Sequence, residues 1–352
     1  MSKAAELAKM GEVLTNSQIG GRRNIIINGA MNVAQRGTSS TGLGASTGYF
    51  TVDRVQSGHS GNSAGRYTMT QEAITDLGGF NNALKLACTT ADTSIASNEW
   101  EYLAYNIEAQ DLQALKFGTS DAEKFTLSFF VKGNASATYT LGAYSVDSNR
   151  WMAQTFSVTT SFTRVSLTWE ADTTGTINND NGHGLIFYIT LQVGSDRTSG
   201  SIPSTWETLA TADIADSSQT QFFDSTSRTL FITGLQMEVG STATPFEHRS
   251  VGEELALCQR YFYKWTSTGL DDQYNFYSPY SPAQVSAGLP NSSAISPHTF
   301  PVTMRASPTM TTTISGGSLN RQTSTPFGFV AQMSSTSTGT HYPTQYLADA
   351  EL

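Results

Sequence analysis

Eight aromatic side chains crowd into the twenty residues from Tyr261 to Tyr280: Tyr261, Phe262, Tyr263, Trp265, Tyr274, Phe276, Tyr277 and Tyr280. An aromatic face stacks on the apolar side of a sugar ring and a tyrosine hydroxyl adds a hydrogen bond, so such a run can serve as a glycan platform. Tyr274, Tyr277 and Tyr280 lie past the helix predicted below and are the glycan-binding candidates. Phe262 and Trp265 fall on that helix's apolar stripe and are expected to be buried. Core packing and subunit contacts draw on the same residue types.

Bond-breaking chemistry has thinner support. Cleaving a glycosidic bond takes two carboxyl groups facing it, one protonated and one ionised. Glu99 with Glu101 and Asp271 with Asp272 are the close pairs, and both read as solvated surface acids. His59, His183, His248, His298 and His341 lack the short spacings of a zinc site. The run Asp180-Asn181-Gly182-His183 offers hard oxygen donors suited to calcium. Without the alternating ligands and terminal Glu of an EF-hand, it reads as a turn. The sequence contains no phosphate loop or dinucleotide fingerprint. Cys88 and Cys258 are far apart and read as small buried hydrophobes. The expectation is a protein that is not an enzyme, with no catalytic residue, no metal and no cofactor.

The elements that must position any site are mostly strands. Phe125, Leu127, Phe129 and Val131 alternate with Thr126, Ser128, Phe130 and Lys132. Val165, Leu167 and Trp169, and then Leu185, Phe187, Ile189 and Leu191, repeat the two-residue period. One apolar face and one mostly wet face per strand suits antiparallel sheets packed as a jelly-roll β-sandwich. Turn chemistry at Gly133-Asn134, Asp147-Ser148-Asn149 and Asn178 to Gly182 links them, and Leu112 and Leu115 mark a short helix around Ala109–Lys116. Pro245 ends the strand pattern of Leu230, Ile232, Met237 and Val239. Ser250 and Glu253 then have capping-box spacing, with Leu255, Cys258, Phe262 and Trp265 on one predicted helical face. Beyond it, prolines from 279 to 343 break the remainder into short strands.

The expected organisation is mainly β: an N-terminal helical segment over 1–22, a jelly-roll sandwich over 23–249, and a small β-rich C-terminal domain over 250–352. The N-terminal stripe of Leu7, Met10 and Leu14 is too short to hold an isolated helix, so it needs a partner or is a disordered terminus.

Only 14% of the 352 residues are charged, and the net charge is -9. Solubility therefore rests on Ser, Thr, Asn, Gln and 30 Gly, a composition of exposed β-proteins. The negative balance argues against a nucleic-acid partner, which would need clustered Lys and Arg. No run of roughly 18 apolar residues is present, so membrane insertion is not expected. Nor does the start have the apolar core of a secretory signal.

Four segments carry a resemblance. Gly234-Leu-Gln-Met-Glu-Val-Gly-Ser-Thr-Ala-Thr-Pro-Phe-Glu-His-Arg249, followed by Glu254-Leu-Ala-Leu-Cys-Gln-Arg-Tyr-Phe262, resembles the junction of tailed-bacteriophage tail-fibre and receptor-binding proteins. Arg23 to Met31, Gln35-Arg36-Gly37 and Tyr49-Phe-Thr-Val-Asp-Arg54 are similar to that group's N-terminal blocks, with Val55 where the group has Trp. Phe300 to Thr309 and Ala348 to Leu352 match its closing signals. The resemblance implies a non-enzymatic virion structural protein, a tail fibre or receptor-binding subunit that adheres to host surface glycans. It further implies a homotrimer joined to other virion proteins. Leu7, Met10 and Leu14 are then the attachment candidates. A capsid-borne head fibre or decoration protein on the capsid exterior is the alternative to a tail location, and a glycan-cleaving virion enzyme is the second.

Overall fold

The computed structural model describes residues 3, 23–61, 63–266, 293–315, 318–334 and 342–352. Two compact units emerge, one running to Val251 and including Leu352, and one spanning Gly252 to Glu351.

The first unit is a jelly-roll β-sandwich. One sheet has six strands in the order β1 (Ser39–Leu43), β4 (Arg66–Ala73), β5 (Asn82–Thr90), β13 (Thr229–Val239), β7 (Phe125–Gly133) and β10 (Thr163–Trp169). The other has seven: β12 (Glu207–Thr208), β9 (Arg150–Val158), β8 (Ala137–Ser145), β11 (His183–Val193), β6 (Trp100–Glu108), β3 (Val55–Ser60) and β2 (Gly48–Tyr49). Neighbouring strands pair antiparallel throughout, as β11 does with both β6 and β8. A 3-10 helix over Ala109–Leu115 carries the chain from the seven-stranded sheet to the six-stranded one, burying Leu112 and Leu115.

The expected alternation places Phe125, Leu127, Phe129 and Val131 of β7 opposite Leu185, Phe187 and Leu191 of β11 in one core. Phe125 stacks on Trp169 with centroids 5.3 Å apart and planes 9° from parallel. Each such buried side chain contributes about 1.5–3 kcal/mol by leaving water. Val55 is 6% exposed and belongs to this core, so the Trp-to-Val departure leaves an apolar side chain in place.

Residues of the Arg23 to Met31 and Gly234 to Arg249 segments build a latch at the sandwich's chain ends. The Asn24 side-chain oxygen accepts from the Met237 amide at 3.0 Å, and the Glu247 carboxylate accepts from the Asn24 amide at 2.6 Å. Arg249 donates to the Ile26 carbonyl at 2.8 Å and also to that of Asn24. Glu238, with its side chain 3% exposed, is paired with Arg23 at 3.2 Å and accepts from the Thr244 amide and the Gln236 side-chain nitrogen. Phe246 lays its ring against Phe80, centroids 5.0 Å apart.

The second unit begins with α1 (Val251–Gln259). Its strands form two three-stranded sheets: β14 (Phe262–Thr266), β19 (Tyr342–Asp349) and β16 (Thr309–Ser315), and β15 (Ser293–Thr299), β18 (Gly328–Ser334) and β17 (Ser318–Thr325). A small core joins Phe300, Met304, Phe329, Tyr346 and Ala348. The predicted helical stripe is corrected here. The helix stops at Gln259, and Phe262 and Trp265 lie in β14, paired with Asp349 and Tyr346 of β19. A Tyr-Phe-Tyr-Lys-Trp run favours the pleated surface over a helix, where aromatic side chains lose rotamer freedom. Phe262 is buried, whereas Trp265 is half-buried.

Candidate functional site

The outer face of the seven-stranded sheet, expected to be wet, is aromatic instead. On β6 the side chains of Trp100, Tyr102, Ala104 and Asn106 share one face, opposite the inward Leu103, Tyr105 and Ile107. Register sets Tyr102 beside Gly58 of β3 on one flank and Thr190 of β11 on the other. The next row runs Tyr49, Gln56, Ala104, Tyr188, Gly142 and Ala153 across β2, β3, β6, β11, β8 and β9. Small residues thus alternate with rings and leave room for them to lie on the sheet. A side-chain carbon at Gly58 would stand 2.3 Å from the Tyr102 ring, and one at Gly142 would stand 1.9 Å from the Trp151 ring. Glycine is required at both positions by close approach.

Trp100, Tyr102 and Tyr188 meet as a triad. Centroids lie 4.4 Å apart for Trp100–Tyr102, 5.1 Å for Trp100–Tyr188 and 5.0 Å for Tyr102–Tyr188, the last edge-on at 81°. The Trp100 indole N–H donates to the Thr190 hydroxyl at 3.1 Å, which fixes the ring's rotation. Asn106 donates to the Tyr49 hydroxyl at 2.7 Å, and Tyr144 donates to the Asn149 side-chain oxygen at 3.1 Å. Trp151 closes the far end under the segment holding Ile214 and Ala215, with its N–H on the Asp213 carbonyl. Trp151 is buried, whereas Tyr49, Trp100, Tyr102, Tyr144 and Tyr188 are half-buried. Burial, and behind it the neighbouring tyrosines, pushes the Tyr188 phenol well above its usual range. Burial also raises that of Tyr102, with the Glu101 carboxyl adding to the effect and a hydrogen bond with Thr47 opposing it. Both phenols therefore stay protonated and able to donate at any physiological pH.

This arrangement offers flat apolar faces interleaved with hydroxyl and amide groups on a rigid sheet. Those are the groups that a sugar ring, apolar on one face and hydroxylated at its rim, can engage. Between the two sheets, a cavity of about 30 Å³ lined by Met31, Leu103, Leu127, Leu141 and Ile232 is too small and too apolar for a sugar.

The sequence-derived candidates fall elsewhere. Tyr274, Tyr277, Tyr280, Leu7, Met10, Leu14, Asp271 and Asp272 lie outside the described residues. Glu99 and Glu101 are not surface acids, since both are fully buried. Glu99 accepts from the Ala96 amide at 2.8 Å and from Gln192 at 3.4 Å, and neither Glu101 oxygen has a hydrogen-bond partner. Burial, then the adjacent Glu99, pushes the Glu101 carboxyl up to about 9. The pair faces inward because Trp100 and Tyr102 on the same strand face outward. Asp180 closes a turn, accepting from the Gly182 amide at 2.8 Å. Among the described residues no group of three or more His, Cys, Asp or Glu side chains is placed to hold a metal. Cys88 and Cys258 are buried, as their type suggested.

The triad went unread in the sequence because the strand pattern identified the inward face and assigned the other to water. The available signal was Trp100 and Tyr102 two apart, on the face opposite Leu103 and Tyr105.

No protein-family model matches the chain, and no curated protein does. Among solved structures, the enzymatically active domain of tailspike protein 4 from bacteriophage CBA120 is similar at 9% identity and a TM-score of 0.32. That match covers 62% of this chain and 21% of that one, so the chain spans about a fifth of its length. A family 30 carbohydrate-binding module is similar at 10% identity and a TM-score of 0.30, covering 66% and 94% of the two chains. The family 11 carbohydrate-binding module of a Clostridium thermocellum cellulosomal cellulase gives 9%, 0.27, and 59% and 98%.

Proposed function

We propose that this chain is a non-enzymatic adhesive subunit of a tailed-phage virion, a tail fibre or receptor-binding protein, and that it holds host-surface glycans on the outer face of the seven-stranded sheet. The observation that carries the binding role is the Trp100–Tyr102–Tyr188 triad, laid on the sheet by Gly58 and ringed by hydroxyl and amide groups. The virion role draws on the resemblance of the Gly234 to Phe262 junction to tail-fibre proteins. A shallow face of this kind binds each sugar weakly, and copies working together in a homotrimer raise the effective concentration of later contacts. The role asks for no turnover, since the buried Glu99 and Glu101 are out of reach of a substrate.

Calorimetric titration of the full chain with oligosaccharides from the host surface tests this. Tyr188→Ala and Trp100→Ala should each weaken binding at least about ten-fold, equivalent to about 1.4 kcal/mol, without shifting the melting temperature by more than a few degrees. Binding that survives both substitutions would remove the face from consideration. Shortened polysaccharide after incubation with the purified chain would overturn the non-enzymatic reading.

A further inference from the structure

We propose that the aromatic face selects acidic saccharides, and that Arg197 is the residue that reads the carboxylate of a uronic acid. This rests on the glycan-binding reading above and adds the ligand's charge to it.

Arg197 ends the 3-10 turn Ser195–Arg197 that follows β11, which brings its guanidinium to the edge of the triad. The guanidinium carbon stands 5.1 Å from the centroid of the Trp100 ring, and one terminal nitrogen donates to the Ser60 hydroxyl at 3.0 Å. The Nε is buried with no hydrogen-bond partner, and no carboxylate of the described residues lies within ion-pairing distance. Most other half-buried cations of the sandwich are matched: Arg150 has Asp172 at 2.6 Å, and Lys132 has Asp76 at 2.5 Å. Desolvation accordingly weakens the Arg197 proton affinity, against the pull of Asp196 and Tyr102 nearby. Asp196 itself is engaged by the Ser97 hydroxyl at 3.1 Å.

A partly desolvated guanidinium without a counter-ion is costly, and its planar fork matches a carboxylate better than it matches a neutral hydroxyl. A sugar ring stacked on Trp100 or Tyr188 would carry its C6 substituent toward the rim of the platform. A carboxylate there gives Arg197 the missing partner, and a hydroxymethyl group does not. The chain's net charge of -9 does not oppose this at contact, because bulk repulsion is screened beyond roughly 8 Å at physiological salt.

The test uses the full chain and matched pairs of probes: oligosaccharides of glucuronate, galacturonate and mannuronate, each beside its carboxyl-reduced twin. At least one acidic member should bind ten-fold or more tightly than its reduced twin, with a preference that shrinks as salt is raised. Arg197→Gln should bring the two members level, and Arg197→Lys should fall between. Thermal melts confirm that both variants are folded. Equal binding of acidic and reduced twins by the wild type, or a preference that persists in Arg197→Gln, overturns the role of Arg197. Provided Tyr188→Ala abolishes that binding, the platform reading still stands. Absence of binding by every pair overturns both.

Discussion

Glu101 illustrates how a single residue can invert the expected effect of pH. Its carboxyl sits in the core end of β6 with no hydrogen-bond partner, near Tyr67 and Glu99, and is held protonated up to about 9. An unfolded chain releases that proton near the ordinary carboxylate value. Between pH 5 and 9 the folded chain therefore binds one more proton than the unfolded chain, and stability falls as pH rises, by about 1.4 kcal/mol per unit from this group. Glu101→Gln removes the titrating group while keeping shape and polarity. Its melting temperature should exceed the wild-type value increasingly from pH 5 to pH 8, and parallel curves across that range would show that Glu101 is ionised in the fold. Little of this was legible beforehand, because Glu99-Trp100-Glu101-Tyr102 read as acids exposed between aromatics. The strand's true phase was visible only further along, where Leu103, Tyr105 and Ile107 commit the odd positions to the core.

At the scale of elements, the Gly234 to Arg249 run is accounted for by architecture. Gln236 and Glu238 on β13 point to the outer face of the six-stranded sheet, where Thr244, Pro245 and Glu247 fold back over them and hold Arg23 and Asn24. Glu238→Ala would strand Arg23 beside a cavity and leave the Thr244 amide without its acceptor. Arg23 is a third exposed and can turn to water, so the loss is chiefly that of the buried carboxylate's hydrogen bonds, about 1–3 kcal/mol, which for a unit of this size lowers the melting temperature by roughly 2–12 °C. Glu238→Gln keeps most of the acceptors and should cost less than half as much. A melting curve for Glu238→Ala within 2 °C of wild type would reduce the latch to a bystander. Much of the sandwich was legible from period-two alternation, since β7 and β11 follow it closely. The outer faces were not legible, because alternation cannot report that the chain's own returning segments cover polar positions such as Thr126 and Gln236. The helix that ends early at Gln259 failed for a related reason: Phe262 and Trp265, three apart, fall on opposite faces of a strand, and nothing local reports that this strand has a partner far along the chain in β19.

For the whole molecule, two separate cores imply two melting events with opposite responses to acid. The sandwich core draws only on residues before Val251, and the small core only on residues after Gly252. Domains with their own cores unfold as separate cooperative units unless a large apolar interface joins them. In the second unit, His298 stacks on Phe329 at 4.8 Å and faces Tyr346 at 5.1 Å, and burial lowers its imidazole to about 4. Unfolding returns it to the ordinary value near 6.5. Between those limits the unfolded chain binds the extra proton, so this unit loses stability as pH falls from 6.5 toward 4. The sandwich gains over the same interval through Glu101. Its depressed carboxyls, Asp76, Asp92 and Asp216, contribute losses only below about pH 4, where even an unfolded aspartate takes up its proton. Scanning calorimetry at pH 8, 6.5 and 5 should therefore show two transitions that move apart on acidification, with the C-terminal one dropping and the sandwich one rising. His298→Phe, which preserves the stack on Phe329, should hold the C-terminal transition steady between pH 6.5 and 5 without changing the sandwich. A single transition at all three pH values would mean that the two units unfold together and share their protons.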